Sequence, residues 1–462
     1  MVKYLNLDKD KLVLNYLFLQ ECLAILQEEK YEDNILLGKL EKRIKLLNSL
    51  TKCSEGVYEY IFNEEYKKGL EKISPKDIKD FLSENLVDND IRISVNILTY
   101  NEERCIERSI DSVKEIADEI IIIDTGSTDN TVNIIRTKYP EVRLFQEKWT
   151  NDFSYLRNKM INYSNFDWIF QIDADEFLSD SAQELKELIA LFDDFTKRPL
   201  VISPVIVNHD DYELDNTKRI FKKSTHLRYF GLVHEELRLD TEKRGTDIEK
   251  ITTNYNLFHD GYKPEVLKSK EKFLRNKKLL EKMIKIERKN IKWHYLLGRE
   301  KYELNEEYEE IVQILKNGLN YATESSEDQD IYLASLVKLC EIYYNKKKIE
   351  DFKDTVDEIN NKFPNCMDGE FFKLMNGFNS AMEQLSYIAD ETYNYMKERH
   401  SSATSIIHTE GYHLFNLLSR VYFSIGNYEK AFSVKSLVQE QEMLMLFDKE
   451  INNIINLYKK FQ

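Results

Sequence analysis

From Ile91 onward the chain alternates short apolar runs with segments of helical spacing. The stretch IRISVNILTYNE (91–102) reads as a strand ending in a polar loop, and ERCIERSIDSVKEI (103–116) repeats its apolar residues at helix spacing. DEIIIIDTGSTDNT (118–131) reads as a buried strand, a glycine turn and a helix start. TVNIIRTKYP continues that helix, and Pro140 stops it. EVRLFQ (141–146) predicts a third strand, DFSYLRNKMINYS (152–164) a helix, and DWIFQID (167–173) a fourth strand. Strands alternating with helices imply βαβ units and a parallel sheet, with functional groups at the carboxyl ends of the strands. Three strands end there in polar clusters: Thr99-Tyr100-Asn101-Glu102, Asp124-Thr125-Gly126-Ser127 and Asp173-Ala174-Asp175-Glu176.

The flanks have another texture. Residues 1–88, with no proline before Pro75, read as a helical extension with charged faces. The α/β pattern then occupies residues 89–262, and helix follows helix over 263–462. In that last part KWHYLLGREKYELNEEYEEIVQILKNGL (292–319) has the Trp-x-x-Leu-Gly-x-x-x-Tyr texture of a tetratricopeptide unit, echoed loosely over 330–364 and 413–438. Periods near ~34 residues suit helix-pair repeats. An irregular helical bundle is the plainer alternative.

The acidic strand end raises a chemical question. Residues i and i+2 of an extended segment face the same way, so Asp173 and Asp175 are expected to address one point in space. Mg²⁺ and Mn²⁺ sites use one or two carboxylates plus substrate phosphates. A divalent cation between these aspartates and a pyrophosphate would offset both charges and stabilise a leaving group. The rival is a solvated acidic loop capping a helix that begins near Ser181; the position after a fourth βα strand favours the metal. Asp124 stays open to two readings. Its segment serves as a turn with Ser127 or Thr128 capping the next helix, or Asp124 hydrogen-bonds a nucleotide.

Composition narrows the class. Of 462 residues, 42% are apolar and 32% charged, with only 13 Gly and 6 Pro, which favours a helix-rich soluble protein. The net charge of −16, without a long basic tract, argues against a nucleic-acid partner. Cys22, Cys53, Cys105, Cys340 and Cys366 are scattered and form no CxxC pair, so neither a zinc site nor a disulfide framework is expected, and reduced thiols fit a cytoplasmic location. The most apolar early run, Leu12 to Leu26, is broken by Asn15, Gln20 and Glu21; it reads as an amphipathic helix, not a membrane span.

SVNILTYNEERCIERSIDSV, EIIIIDTGSTDNT, NDFSYLRNK and WIFQIDADE resemble the inverting nucleotide-sugar glycosyltransferases of the GT-A (Rossmann-like) fold, family 2. With EKWTNDFSYLRNK, KRIFKKSTHLRYFGLVHEE and LFHDGYKPE added, the pattern is similar to the sublancin-type peptide S-glycosyltransferases of bacteriocin clusters, strongly over residues ~90 to ~300 and by architecture elsewhere. The loop TGSTDNT matches the general family better than this peptide branch and does not help to name the acceptor. The resemblance implies transfer of a hexose, usually glucose, from a UDP-sugar to a Cys or Ser of a bacteriocin precursor peptide. It implies that Thr99, Tyr100, Glu102 and Asp124 hold the uridine, that Arg157 lies near the nucleotide, and that Asp173, Ala174 and Asp175 form the DxD. In that motif the first Asp usually faces the ribose and the second usually binds the metal, Mg²⁺ or Mn²⁺. GT-A enzymes often complete the metal shell with a His from the region of His259, whose other reading is an imidazole that closes a strand.

Inverting transfer also needs a group that takes the acceptor's proton. In VHEE (233–236), read as strand-like, His234, Glu235 and Glu236 are the candidates, with Glu235 facing opposite to its neighbours. The rival is a cross-strand ion pair with Arg228 or Arg238. Twelve Lys and Arg against four Glu over 263–292 read as a solvated helix face or as a rim for phosphates or an acidic peptide. Trp149, Phe153 and Tyr155 either line a pocket or pack. Tyr343, Tyr344, Tyr422 and Phe423 either pair two subunits as a homodimer or form core. The competing functions are transfer to lipopolysaccharide core or another glycan, and a non-catalytic helical-repeat scaffold that binds peptide.

Overall fold

A computed structural model describes residues 12–68, 70–87, 89–179, 182–195, 198–208, 213–215, 217–239, 248–259, 269–398 and 411–437, with 449, 451–453, 455–456 and 459–460 beyond. The helix start expected near Ser181, Gly261 and the beginning of the basic run at Lys263 lie outside the described residues.

The N-terminal part is helical as read: α1 (Tyr16–Glu28), α2 (Asn34–Asn48), α3 (Glu55–Phe62) and α4 (Pro75–Asn85). Asn15 breaks the early apolar run because it is the cap of α1. Its Oδ1 accepts the Phe18 N–H (2.8 Å), and its buried Nδ2 donates to the carbonyls of Tyr60 and Asn63. Ser74 caps α4, with Pro75 in the first turn where its missing N–H costs nothing. A strand absent from the sequence reading, β1 (Leu50–Cys53), joins α2 to α3. Its burial pattern shows no apolar alternation, which is why it leaves no signal in the sequence.

The alternating region supplies β2 (Ile93–Thr99), α5 (Ile106–Val113), β3 (Glu119–Asp124), α6 (Thr131–Lys138), β4 (Arg143–Gln146), α7 (Phe153–Tyr163) and β5 (Trp168–Asp173). Strands β4, β3, β2 and β5 are neighbours and parallel, as expected. Next come β6 (Glu176–Leu178), α8 (Ala182–Leu191), β7 (Leu200–Asn208), β8 (Glu213–Leu214), β9 (Ile220–Lys222), β10 (Arg228–Phe230), β11 (Glu236–Arg238) and β12 (Glu249–His259). The full sheet runs β1-β12-β7-β9-β5-β2-β3-β4, with β6 added to β12 and β8 to β7. It is therefore mixed: β9 is antiparallel to both β5 and β7, and β1 is antiparallel to β12. One apolar core runs from Phe18, Leu40 and Leu82 of the N-terminal helices to Ile93, Phe170 and Ile202 of the sheet.

Helices α9 (Ser269–Ile286), α10 (Ile291–Glu303) and α11 (Tyr308–Leu319) follow. Leu279, Leu280 and Met283 of α9 and Trp293 of α10 pack with Val233 of the α/β region. Gly298 lets α10 and α11 approach closely, since a Cβ there would lie 2.6 Å from Leu315. Divisions were expected near 88 and 262; the contacts divide the chain into Met1–Tyr321 and Ala322–Gln462. Among the described residues the second unit has helices and no strand, with α12 (Ser326–Asn345), α13 (Ile349–Lys362), α14 (Met367–Glu398), α15 (Tyr412–Ser424) and α16 (Tyr428–Lys435). Tyr343 and Tyr422 are core here, Phe423 packs against that core, and Tyr344 is exposed. All five cysteines are free. Among the described residues no helix is long and apolar enough to cross a membrane.

Candidate functional site

Register brings the three polar strand ends to one edge of the sheet. Thr99 stands beside Asp124, and Leu98 beside Asp173. Asp124 is buried and accepts the backbone N–H groups of Gly126 (3.1 Å) and Ser127 (3.2 Å). Gly126 makes that turn at φ +107°, a region that favours glycine. The capping expected of Ser127 or Thr128 does not occur, because α6 starts later, with Asn130 in the cap position. Instead Ser127 Oγ accepts the Asn101 N–H (2.8 Å), and the Thr128 N–H donates to Asn101 Oδ1 (2.7 Å). These bonds tie the loop after β2 to the loop after β3 and leave the Tyr100 ring 56% exposed beside them. The Thr99 hydroxyl is buried with no hydrogen-bond partner among the described residues. Burial first, then the charge of Asp175, pushes the Glu102 carboxyl up to about 7.

Asp173 and Asp175 do not share one target. Strand β5 ends at Asp173, Ala174 and Asp175 form a turn, and β6 begins at Glu176, so the two-residue alternation fails there. Asp173 Oδ1 accepts from Arg157 Nη2 (2.8 Å) and Oδ2 from Arg219 Nη2 (3.2 Å). Arg219 also pairs with Glu176, and Arg157 Nε donates to Glu235. The result is an alternating ion chain, Glu235–Arg157–Asp173–Arg219–Glu176. Burial alone would raise Asp173, but the two guanidinium groups outweigh it and hold the carboxyl well below the usual range. Glu176 goes the other way: burial, reinforced by Asp173, outweighs Arg219 and pushes it up to about 7. Tyr229 completes the cluster, its ring 5.6 Å from the Arg157 guanidinium and its hydroxyl buried without a hydrogen-bond partner among the described residues.

Asp175 meets His259 instead, Oδ2 to Nε2 at 3.1 Å. The last residue of β12 faces Asn208 of β7 on one side and Glu176 of β6 on the other, which brings positions 84 apart together. Asn208 Oδ1 lies 3.0 Å from His259 Nδ1, an orientation that aims Nε2 at Asp175. Burial lowers the His259 pKa, but the hydrogen bond and charge of Asp175 outweigh it and raise it above its ordinary value. Among the described residues no group of three His, Cys, Asp or Glu side chains is disposed to hold a metal.

VHEE is not a strand. His234 has φ +51° in a turn, and β11 starts only at Glu236. Glu235 turns to Arg157. Glu236 binds Arg238 (2.7 Å), two residues along the same strand, and Lys292 (2.9 Å), so it is held in ion pairs, though not in the cross-strand pair expected. His234 Nε2 lies 3.4 Å from Glu300, and burial, outweighing that carboxylate, lowers its pKa below the ordinary value. Trp149 and Phe153 pack edge to face, and Tyr155 is exposed.

The sequence reading missed Arg219, Asn208 and Tyr229 as parts of this cluster. Asn208 carried a usable signal, since it is the polar end of the apolar run LVISPVIVN, as Asp124 and Asp173 are of theirs. Arg219 carried none, because only the antiparallel seat of β9 beside β5 brings it to Asp173.

Residues 94–256 match the family described as Glycosyl transferase family 2. The chain is 30% identical over 354 residues to the SPbeta prophage-derived glycosyltransferase SunS of Bacillus subtilis (strain 168), covering 76% of this chain and 81% of SunS. It is 27% identical over 222 residues to the glycosyltransferase RC0292 of Rickettsia conorii, covering 42% of this chain and 76% of that protein. S. aureus TarS 1–349 in complex with UDP-GlcNAc is similar at a TM-score of 0.35 and 15% identity, covering 59% of this chain and 92% of TarS, too distant to carry an inference.

Proposed function

Since this chain belongs to glycosyl transferase family 2 and has its GT-A fold, we propose that it transfers a hexose, glucose first among them, from a UDP-sugar to a Cys or Ser side chain of a bacteriocin precursor peptide. The observation that carries the transfer chemistry is the Arg157-centred ion chain at the carboxyl edge of the sheet, flanked by Asp175 and His259. The acceptor rests on the resemblance to the sublancin-type peptide S-glycosyltransferases.

On this reading Thr99, Glu102 and Asp124 hold the uridine, and the exposed Tyr100 ring stacks on the base. Asp173, locked by two arginines, is a fixed acceptor for the ribose. One carboxylate and one imidazole converging at 3.1 Å fit a divalent cation that takes its other ligands from phosphate and water. Asp175 and His259 would hold Mg²⁺ or Mn²⁺, which offsets the negative charge of the departing UDP. Glu235, 11% exposed and aimed by Arg157, accepts the proton of the attacking thiol or hydroxyl. A thiol asks less of that base, with a free Cys titrating near ~8.5.

Glu235→Gln keeps a hydrogen-bond acceptor for Arg157 but removes the base. Its kcat is expected to fall about 10²-fold with KM for the UDP-sugar unchanged; unchanged turnover would move the assignment to His234. The whole reading is tested by incubating the full chain with UDP-glucose, Mn²⁺ and Cys- or Ser-bearing precursor peptides and weighing the products. One hexose gained, and lost again when the target Cys becomes Ala, supports it. Transfer to a glycan acceptor with none to any peptide overturns it.

A further inference from the structure

A groove of about 600 Å³ runs between α9 and the loop before α7, lined by Asn151 and Leu274, by the cations Arg275, Lys278, Lys282 and Lys285, and by Glu271 and Glu281. Elsewhere lysines pair with carboxylates, as Lys42 does with Glu187, Lys138 with Glu107 and Lys159 with Glu147. On α9 itself, Lys277 is taken by Glu306. Lys278, Lys282 and Lys285 are exposed and make no ion pair among the described residues. Their spacing of four and three residues puts them on one helix face. Lys278 to Lys285 spans about 10 Å along the axis, the reach of three or four residues of extended peptide. Leu274, 39% exposed, gives the groove an apolar patch.

The groove abuts the candidate site through two non-covalent contacts of Phe153. Arg275 lies 5.2 Å over the ring of Phe153, the first residue of α7, which carries Arg157 one turn later. The Phe153 N–H donates to the Leu232 carbonyl (3.1 Å), at the head of the turn that bears His234 and Glu235. A chain entering the site past Glu235 therefore has a row of cations beside it.

We infer that this groove binds an acidic, extended segment of the acceptor peptide, with two carboxylates at alternate positions shared among Lys278, Lys282 and Lys285. Alternate residues of an extended chain point the same way about 7 Å apart, so an acidic-x-acidic pattern fits the row. The occupant's class follows from charge complementarity: the chain carries a net charge of −16, yet four cations outnumber the two glutamates of this groove, so its lining is net positive. The identity of the peptide as an acceptor rests on the transferase reading above; the binding surface does not.

The test uses the full chain and two fluorescein-labelled peptides, each with one Cys in a Gly-Ser tail, preceded by alternating glutamate and serine in one and alternating glutamine and serine in the other. Fluorescence anisotropy without any UDP-sugar reads binding directly. The glutamate peptide is expected to bind about tenfold more tightly at low salt, and the advantage to vanish near ~0.5 M salt. Lys278→Met/Lys282→Met/Lys285→Met removes the advantage while the thermal midpoint stays put, because these side chains are exposed. Equal binding of both peptides, or an advantage that survives the triple substitution, overturns the inference. So does sedimentation of the protein with phosphatidylglycerol vesicles that the glutamate peptide fails to displace. A transfer assay on the same peptides separates the two levels. A KM raised about tenfold by the triple substitution at unchanged kcat supports both, whereas lysine-dependent binding with no transfer upholds the groove and counts against the transferase reading alone.

Discussion

Asp175→Asn will cut sugar transfer on the order of a hundredfold or more while leaving the fold intact. The substitution is nearly isosteric, and the side chain touches only His259 among the groups described above. It sits in the turn after β5, 23% exposed, outside the apolar core. The thermal midpoint should therefore stay within about 2 °C of the parent, the shift expected for a surface change. Chelator should bring the parent to the same low activity, and added Mn²⁺ should restore the parent and not the variant. Parent-like turnover by Asp175→Asn, or full activity in excess chelator, would show that no metal acts through this pair.

Arg157→Met will destabilise the fold by about 3 kcal/mol, the low end of the range for breaking a buried ion pair. The guanidinium is 8% exposed and serves two carboxylates, Asp173 and Glu235. Its loss strands both. The estimate takes the low end because Asp173 keeps 34% of its side chain in water, where solvent screens the uncompensated charge. The urea midpoint measures the loss, and Arg157→Lys should recover part of it by supplying a charge without the two-armed geometry. The pH dependence has a definite sign. The folded-state pKa of Asp173 is depressed, so its pairing contributes fully above the unfolded value near ~3.9 and is lost as pH falls through the lower folded value. The gap between parent and Arg157→Met should shrink on acidification below about pH 4. A gap that is absent at pH 7, or that does not shrink, removes Arg157 from the structural account.

Several features needed nothing beyond the sequence. Four strands and the helices between them follow from the spacing of apolar residues, because a strand buried on both faces must be apolar throughout and a helix covering it on one face only. That spacing also sends Thr99, Asp124 and Asp173 to one edge, since parallel strands joined by right-handed crossovers all end on the same side. The cap at Asn15 and the Ser74-Pro75 helix start are equally local, each depending on bonds within a few residues.

Partnership across distance was decided by tertiary structure. Asp173 and Asp175 look equivalent as letters, yet one is locked by Arg157 and Arg219 and the other meets His259. The difference arises because the turn at Ala174 ends the strand's alternation and β6 then pairs with β12, not with β5's neighbours. Likewise the three residues His234, Glu235 and Glu236 go to three different partners, because the left-handed backbone at His234 breaks the strand that their spacing suggested. Side-chain periodicity is a property of one continuous segment. Which charge neutralises which is set by the segments that fold beside it, and for Asp173 and Asp175 those lie from 16 to 84 residues away.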